Sequence, residues 1–154
     1  YGPGDNYHPL NSHVIPGLIR RFYEAKFNDH QNVEVWGTGE VRREFLFVDD
    51  LADAILHLMK LPQAEFSSGF EGQYSHVNVG VGSDVTIAAL AHLIKEKTGF
   101  SGGLRFDTTK PDGTPRKLLD ISRLTALGWR AQTSLNTGLE RAVEDYRKRM
   151  TKFD

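Results

Sequence analysis

The sequence predicts an α/β chain. Helix-period apolar stripes alternate with short β-branched and aromatic runs, glycine- or proline-bearing turns separate them, and no internal repeat or low-complexity tract intervenes. At 154 residues the chain can bury one real core. A hydrophobic share of 39% with 25% charged residues is that of an ordinary globular protein.

The first helix is expected from about Ser12 to Ala25. Ile15, Leu18, Ile19 and Phe22 repeat at i, i+3, i+4, i+7, Asn11 or Ser12 can cap, and Pro16 falls in the first turn, where its missing N–H costs nothing. "NVEVWGTGEVRREFLFV" reads as two strands around a hairpin-like turn at 37–39. "DDLADAILHLM" follows as a helix with Asp49 or Asp50 at its positive end. "SSGFEGQ" reads as a loop, "HVNVGVG" as a short buried strand, and "IAALAHLIKEKTG" as a helix closed by Gly99. "LRFD" is expected to be a strand and "KPDGTPRK" a long turn. The last helices are "SRLTALGW" and, behind Thr133 or Ser134, "LNTGLERAVEDYRKRM".

A net charge of −1 provides no global field toward nucleic acid or an anionic membrane, so any phosphate affinity must come from locally placed cations. Without cysteine there are no disulfides or thiolate metal sites. No run is long and apolar enough to span a bilayer, which makes a cytoplasmic protein the expectation. The chain opens "YGPGDNYHP", without methionine and in a loop-like run, and so reads as a piece of a longer protein.

His13 stands at a predicted helix N-terminus, where the positive end of the dipole favours a neutral imidazole able to exchange a proton or hydrogen-bond a carbonyl. A plain surface histidine near a helix end is the commoner reading of such a residue. Three cationic pairs, Arg20–Arg21, Arg42–Arg43 and Arg116–Lys117, suggest a pyrophosphate clamp in a chain of near-zero charge. Side chains alternate along a strand, so only one of Arg42 and Arg43 can face a cleft. Trp36, beside a glycine turn, could stack on a base or sugar, or sit in the core. The other histidines have no metal-ligand spacing. "NVGVG" lacks the third glycine of a dinucleotide fingerprint, and no Y-x-x-x-K occurs, so ordinary NAD(P) binding is not expected within this chain.

"YGPGDNYHPLNSHVIPGLIRRF", "VWGTGEVRREFLFVDDLADAILHLM", "HVNVGVGSDVTI" and "FDTTKPDGTPRKLLDISRLTALGW" together resemble the C-terminal half of the bacterial GDP-L-fucose synthases, in the extended short-chain dehydrogenase/reductase (SDR) superfamily. "REFLFVDDLADA" is shared broadly in that superfamily, whereas "NSHVIPGLIRR" and "KPDGTPRKLLD" are narrower. The resemblance implies the substrate-binding lobe of an NADPH-dependent 3,5-epimerase/4-reductase that acts on GDP-4-keto-6-deoxy-D-mannose. His13 would be the epimerisation acid and lie beside the nicotinamide. Arg21, Trp36, Arg43 and Lys117 would hold the GDP-sugar, with Asp112 a weaker match, and Arg20, Arg42 and Arg116 would be neighbours.

The resemblance further implies that the main NADP(H)-binding residues lie in a missing N-terminal half, against which 49–60 and 76–80 would pack. It implies a homodimer for the full-length protein and an inactive fragment here. The partner of the acid in that family is a cysteine, which this chain lacks. Another nucleotide-sugar epimerase or dehydratase lobe, or a non-catalytic nucleotide-binding module, are the alternatives.

Overall fold

The computed structural model of the chain describes residues 1–68 and 76–150. In chain order it contains α1 (Val14–Phe27), β1 (Asn32–Trp36), β2 (Arg42–Arg43), α2 (Val48–Lys60), α3 (Gln63–Ser68), β3 (Val85–Thr86), α4 (Ile87–Thr98), β4 (Gly103–Asp107), β5 (Arg116–Lys117), α5 (Ser122–Ala126) and α6 (Leu135–Met150). Most of the loop expected at "SSGFEGQ" lies outside the described residues. Ser67, which that stretch also includes, lies in α3.

α1 begins as its sequence demands. Ile15, Leu18, Ile19 and Phe22 are buried, each stabilising by about 1.5–3 kcal/mol when fully withdrawn from water. The N-cap is His13 rather than Asn11 or Ser12, and its side chain makes no capping bond. Its carbonyl accepts from the Gly17 N–H at 2.9 Å. α4 has the cap that α1 lacks: Thr86 Oγ1 accepts from the Ala89 N–H at 3.1 Å. At its far end Gly99 turns into the left-handed region at φ 66°, which glycine adopts without strain. Ser134 caps α6 by accepting from the Thr137 N–H at 3.1 Å.

The hairpin expected around 37–39 does not form. β1 pairs in parallel with β4, Asn32 opposite Gly103 through Trp36 opposite Asp107. The run after 37–39 yields only the two-residue β2, which pairs antiparallel with β3 and parallel with β5. β5 itself falls inside the stretch expected to be a turn. α1 packs on β1, and α4 and α6 pack on α1 and on each other, to form the main core, with Leu90, Ile94, Phe100, Leu139 and Tyr146 closing around the α1 stripe.

A second, smaller cluster joins Ala54 of α2 to Leu124 and Trp129, with Val77 and Val79 packed against it. The strand expected at 76–80 has no ladder among the described residues. Its valines serve this cluster instead. α2 is fastened to the segment after α5 by two carboxylates. Asp50 is buried and accepts from the Thr133 N–H and hydroxyl at 2.9 and 3.0 Å, and Asp53 accepts from the Trp129 indole at 2.8 Å. Asp50 stands in the first turn of α2, as expected, and from there bonds a distant loop.

The remaining face of α2 is unusual. Val48, Leu51, Ile55 and Met59 follow helical spacing, yet they are 42%, 41%, 49% and 77% exposed. An amphipathic helix normally turns such a stripe inward. Among the described helices none is long and apolar enough to cross a membrane.

Phe22→Ala is expected to lower the unfolding free energy by about 3–5 kcal/mol through lost burial and a residual cavity. Phe27→Ala, on the same helix but at a 71% exposed position, is expected to change it by less than about 1 kcal/mol. Urea unfolding at neutral pH measures both.

Candidate functional site

A cleft of about 850 Å³ lies between the start of α1, β1 and the strand β2. The helix geometry places His13 at its mouth, because the first residue outside α1 cannot be covered by the helix body. The His13 ring is exposed and has no hydrogen-bond partner among the described residues. His13, Arg21, Trp36, Arg43 and Asp112 all line the cleft, so five of the six residues singled out from sequence converge. Lys117 does not line it. It is exposed on β5, in register with Arg43.

Arg21 is half-buried and its head is engaged. Nε donates to the Gly17 carbonyl at 3.3 Å and Nη1 to the Glu34 carbonyl at 2.7 Å, bracing α1 against β1. Burial, helped by the neighbouring Arg20, pushes the Arg21 guanidinium below its ordinary pKa. Arg20 spends Nη1 on Glu24 at 2.6 Å, and its Nε is buried without a partner among the described residues. Trp36 projects from the end of β1, 66% exposed, with Lys110 Nζ 5.6 Å from its ring centroid. A core role for Trp36 is excluded by that exposure.

Asp112 belongs to a turn that docks onto the turn at 37–39. One carboxylate oxygen accepts from the Thr38 N–H at 2.7 Å, the other from the Thr38 hydroxyl at 2.8 Å. Gly37, at φ 81°, leaves no room for a Cβ against that carboxylate. Asp112 therefore positions the loop beside Trp36, with both oxygens already accepting protein hydrogen bonds.

Alternation divides the cationic pairs. Arg42 and Arg116 are opposite one another in register and share Asp84, whose side chain is only 2% exposed. Arg42 Nε reaches one oxygen at 2.7 Å and Arg116 Nε the other, while Arg42 Nη2 adds a bond to the Asp84 carbonyl at 3.1 Å. The Arg116 guanidinium and then Arg42 hold the Asp84 carboxyl below the usual carboxylate range. Arg43 and Lys117 occupy the opposite face. Arg43 Nη1 donates to the Arg42 carbonyl at 2.7 Å, and neither Arg43 nor Lys117 has a carboxylate partner among the described residues.

Two carboxylates were not singled out from sequence. One is Asp84. Glu44, which lines the cleft, accepts from the Val81 and Gly82 N–H groups at 2.6 Å each and from the Leu119 N–H at 3.1 Å, tying two loops to β2. Its partners lie 37 to 75 residues away, so no local spacing could signal it. Among the described residues no group of His, Asp and Glu could hold a metal ion.

Residues 1–80 match the NAD dependent epimerase/dehydratase family. GDP-L-fucose synthase 1 of Arabidopsis thaliana is 55% identical over 148 residues, which are 96% of this chain and 43% of that protein. GDP-L-fucose synthase of Escherichia coli K12 is 48% identical over 153 residues, 99% of this chain and 48% of that protein. This chain thus spans less than half the length of these curated relatives. Among solved structures, a GDP-L-fucose synthetase from Naegleria fowleri bound to NADP superposes with a TM-score of 0.84 at 27% identity, covering 98% of this chain and 45% of that one. A GDP-6-OMe-4-keto-L-xylo-heptose reductase from C. jejuni gives 0.86 at 32% identity, covering 97% and 51%.

Because the folded pKa of Asp84 lies below its ordinary 3.8, its contribution to stability is complete above that value. It is lost as pH falls through the lower, folded value. Asp84→Asn should therefore lower the urea midpoint at about pH 7, and the gap to the parent chain should narrow toward about pH 2. An unchanged gap across that range would contradict the ion pairing.

Proposed function

Because this chain belongs to the NAD dependent epimerase/dehydratase family, we propose that it is the GDP-sugar-binding lobe of a 3,5-epimerase/4-reductase that makes GDP-L-fucose from GDP-4-keto-6-deoxy-D-mannose. The observation that carries the reading is the single cleft joining His13 to Trp36 and Arg43. The identities to GDP-L-fucose synthases over nearly the whole chain support the GDP-sugar as its occupant.

In this reading Trp36 offers an exposed face to the base or ribose. Arg43, with Lys117 beside it, takes the diphosphate, since guanidinium binds phosphate oxygens bidentately. Arg21 fixes the wall between α1 and β1 and presents its remaining donors to the same group. Asp112 holds the loop that carries Lys110 against Trp36. The sugar then lies toward His13. Its C4 ketone acidifies the protons on C3 and C5, so epimerisation needs a base on one face of the ring and an acid on the other. His13, whose ring nitrogens have no partner among the described residues, returns the proton from its side.

The same free ring fits a hydrogen bond to a nicotinamide carboxamide. NADPH, when bound, supplies the hydride that reduces C4. We assign its main binding residues to an N-terminal half of the kind the longer relatives have. The exposed stripe of Val48 with Leu51, Ile55 and Met59 of 49–60, and the unladdered 76–80, pack against that half, and the completed protein is a cytoplasmic homodimer.

Isothermal titration of the chain should show GDP binding more tightly than UDP. Arg43→Ala should weaken GDP by about tenfold or more, the usual loss for a charge-assisted phosphate contact. Equal affinity for GDP and UDP would sink the substrate assignment. When the chain is joined to the N-terminal half of the E. coli relative, deuterium from solvent should enter C3 and C5 of the sugar. His13→Gln should abolish that uptake, and uptake at the parent rate would remove His13 from the chemistry.

A further inference from the structure

The small sheet β3–β2–β5 brings four cationic side chains into two adjacent rows of paired strand residues: Arg42 opposite Arg116, and Arg43 opposite Lys117. Strands lie about 4.8 Å apart, so each pair is within strong mutual repulsion, and like charges directly opposite destabilise a strand pair. β2 and β5 share only two residues of pairing, too few backbone hydrogen bonds to hold such a block against that repulsion. Something must offset it.

Among the described residues one acid pairs with the block. Asp84, at the residue preceding β3, is almost wholly withdrawn from solvent and uses both carboxylate oxygens on the two guanidinium groups of one face. That face is left with one net positive charge. The other face, with Arg43 at the cleft wall and Lys117 beside it, keeps both of its charges without an acidic partner among the described residues. The sheet thus separates an ion-paired structural face from an open cationic one.

We propose that Asp84 is a positioning residue for anion binding, whose charge offsets the Arg42–Arg116 repulsion that would part β2 from β5, so that Arg43 and Lys117 stand side by side toward a diphosphate. The inference rests on the nucleotide-sugar reading only for the identity of that anion. The placement of the two strands does not depend on it. Arg42 is a rear anchor in this arrangement. Its own amide donates to the Pro115 carbonyl at 2.8 Å, which makes that amide a reporter of the β2–β5 junction.

Two readouts on the chain test this: hydrogen exchange at the Arg42 amide, and calorimetric affinity for GDP with guanosine as the phosphate-free control. Asp84→Asn should speed exchange and weaken GDP about tenfold while leaving guanosine unchanged, the signature of a lost phosphate contact. Adding Arg116→Gln to that variant removes one repelling charge and should recover most of both losses. Arg116→Gln alone keeps the Arg42–Asp84 pair, so it should fold and bind GDP as the parent does, even where Asp84→Asn does not fold. A GDP loss that Arg116→Gln does not recover, or parent-like exchange in Asp84→Asn, would overturn the proposal. So would a GDP defect in Arg116→Gln alone. Exchange that follows the pattern while even the parent chain ignores GDP would overturn the nucleotide-sugar reading and leave the strand-holding role standing.

Discussion

Successive side chains on a strand point to opposite faces, and at Arg42–Arg43 that alternation governs the cationic side of the cleft. Two adjacent arginines cannot do the same work. One turns to the cleft and the other to Asp84; on β5 Arg116 also turns to Asp84, while Lys117, outside the cleft lining, shares the face of Arg43. Because β2 is the central strand of its sheet, the choice made there is imposed on both neighbours. A slip of one residue in the β2–β5 register would bring Arg116 opposite Arg43 and remove Lys117 from the open face.

The rest of the fold keeps that small sheet in place relative to His13. α1 is locked by its buried stripe onto β1, and Arg21 crosses from α1 to the Glu34 carbonyl, so the helix start and the strand end move as one unit. β1 is in turn paired with β4, whose continuation carries Lys110 and Asp112. Asp112 closes the circuit by binding Thr38 just past the end of β1. Glu44 performs the same task on the other side, where its carboxylate gathers the N–H groups at 81, 82 and 119 onto the residue that follows β2. Three short strands could not maintain a site by backbone pairing alone. Side-chain carboxylates supply the missing rigidity.

Helices were the legible part of this sequence because their signals are local. The α1 stripe, Gly99 behind α4 and Ser134 ahead of α6 each lie within a few residues of what they control. Strand pairing was not legible for the opposite reason. β1 was recognisable as a strand, but its partner lies about seventy residues on, and the glycine turn that suggested a hairpin serves to seat Asp112. Val77 and Val79 looked like a buried strand because apolar alternation does not distinguish pairing from packing. They pack on Ala54 and Trp129. At the site, the cationic pairs could be named and their division anticipated. Asp84 and Glu44 could not, since a lone acid carries no mark of a partner forty residues away.

The central claim is that the face bearing Arg43 and Lys117, and not its reverse, receives the diphosphate. A crystal structure of the chain with GDP tests it most directly. The account predicts phosphate oxygens at about 2.7–3.2 Å from the Arg43 guanidinium and the Lys117 ammonium, with Arg42 and Arg116 still on Asp84 and the guanosine toward Trp36. Phosphate bound to Arg42 or Arg116, or nucleotide seated outside the cleft, would contradict it.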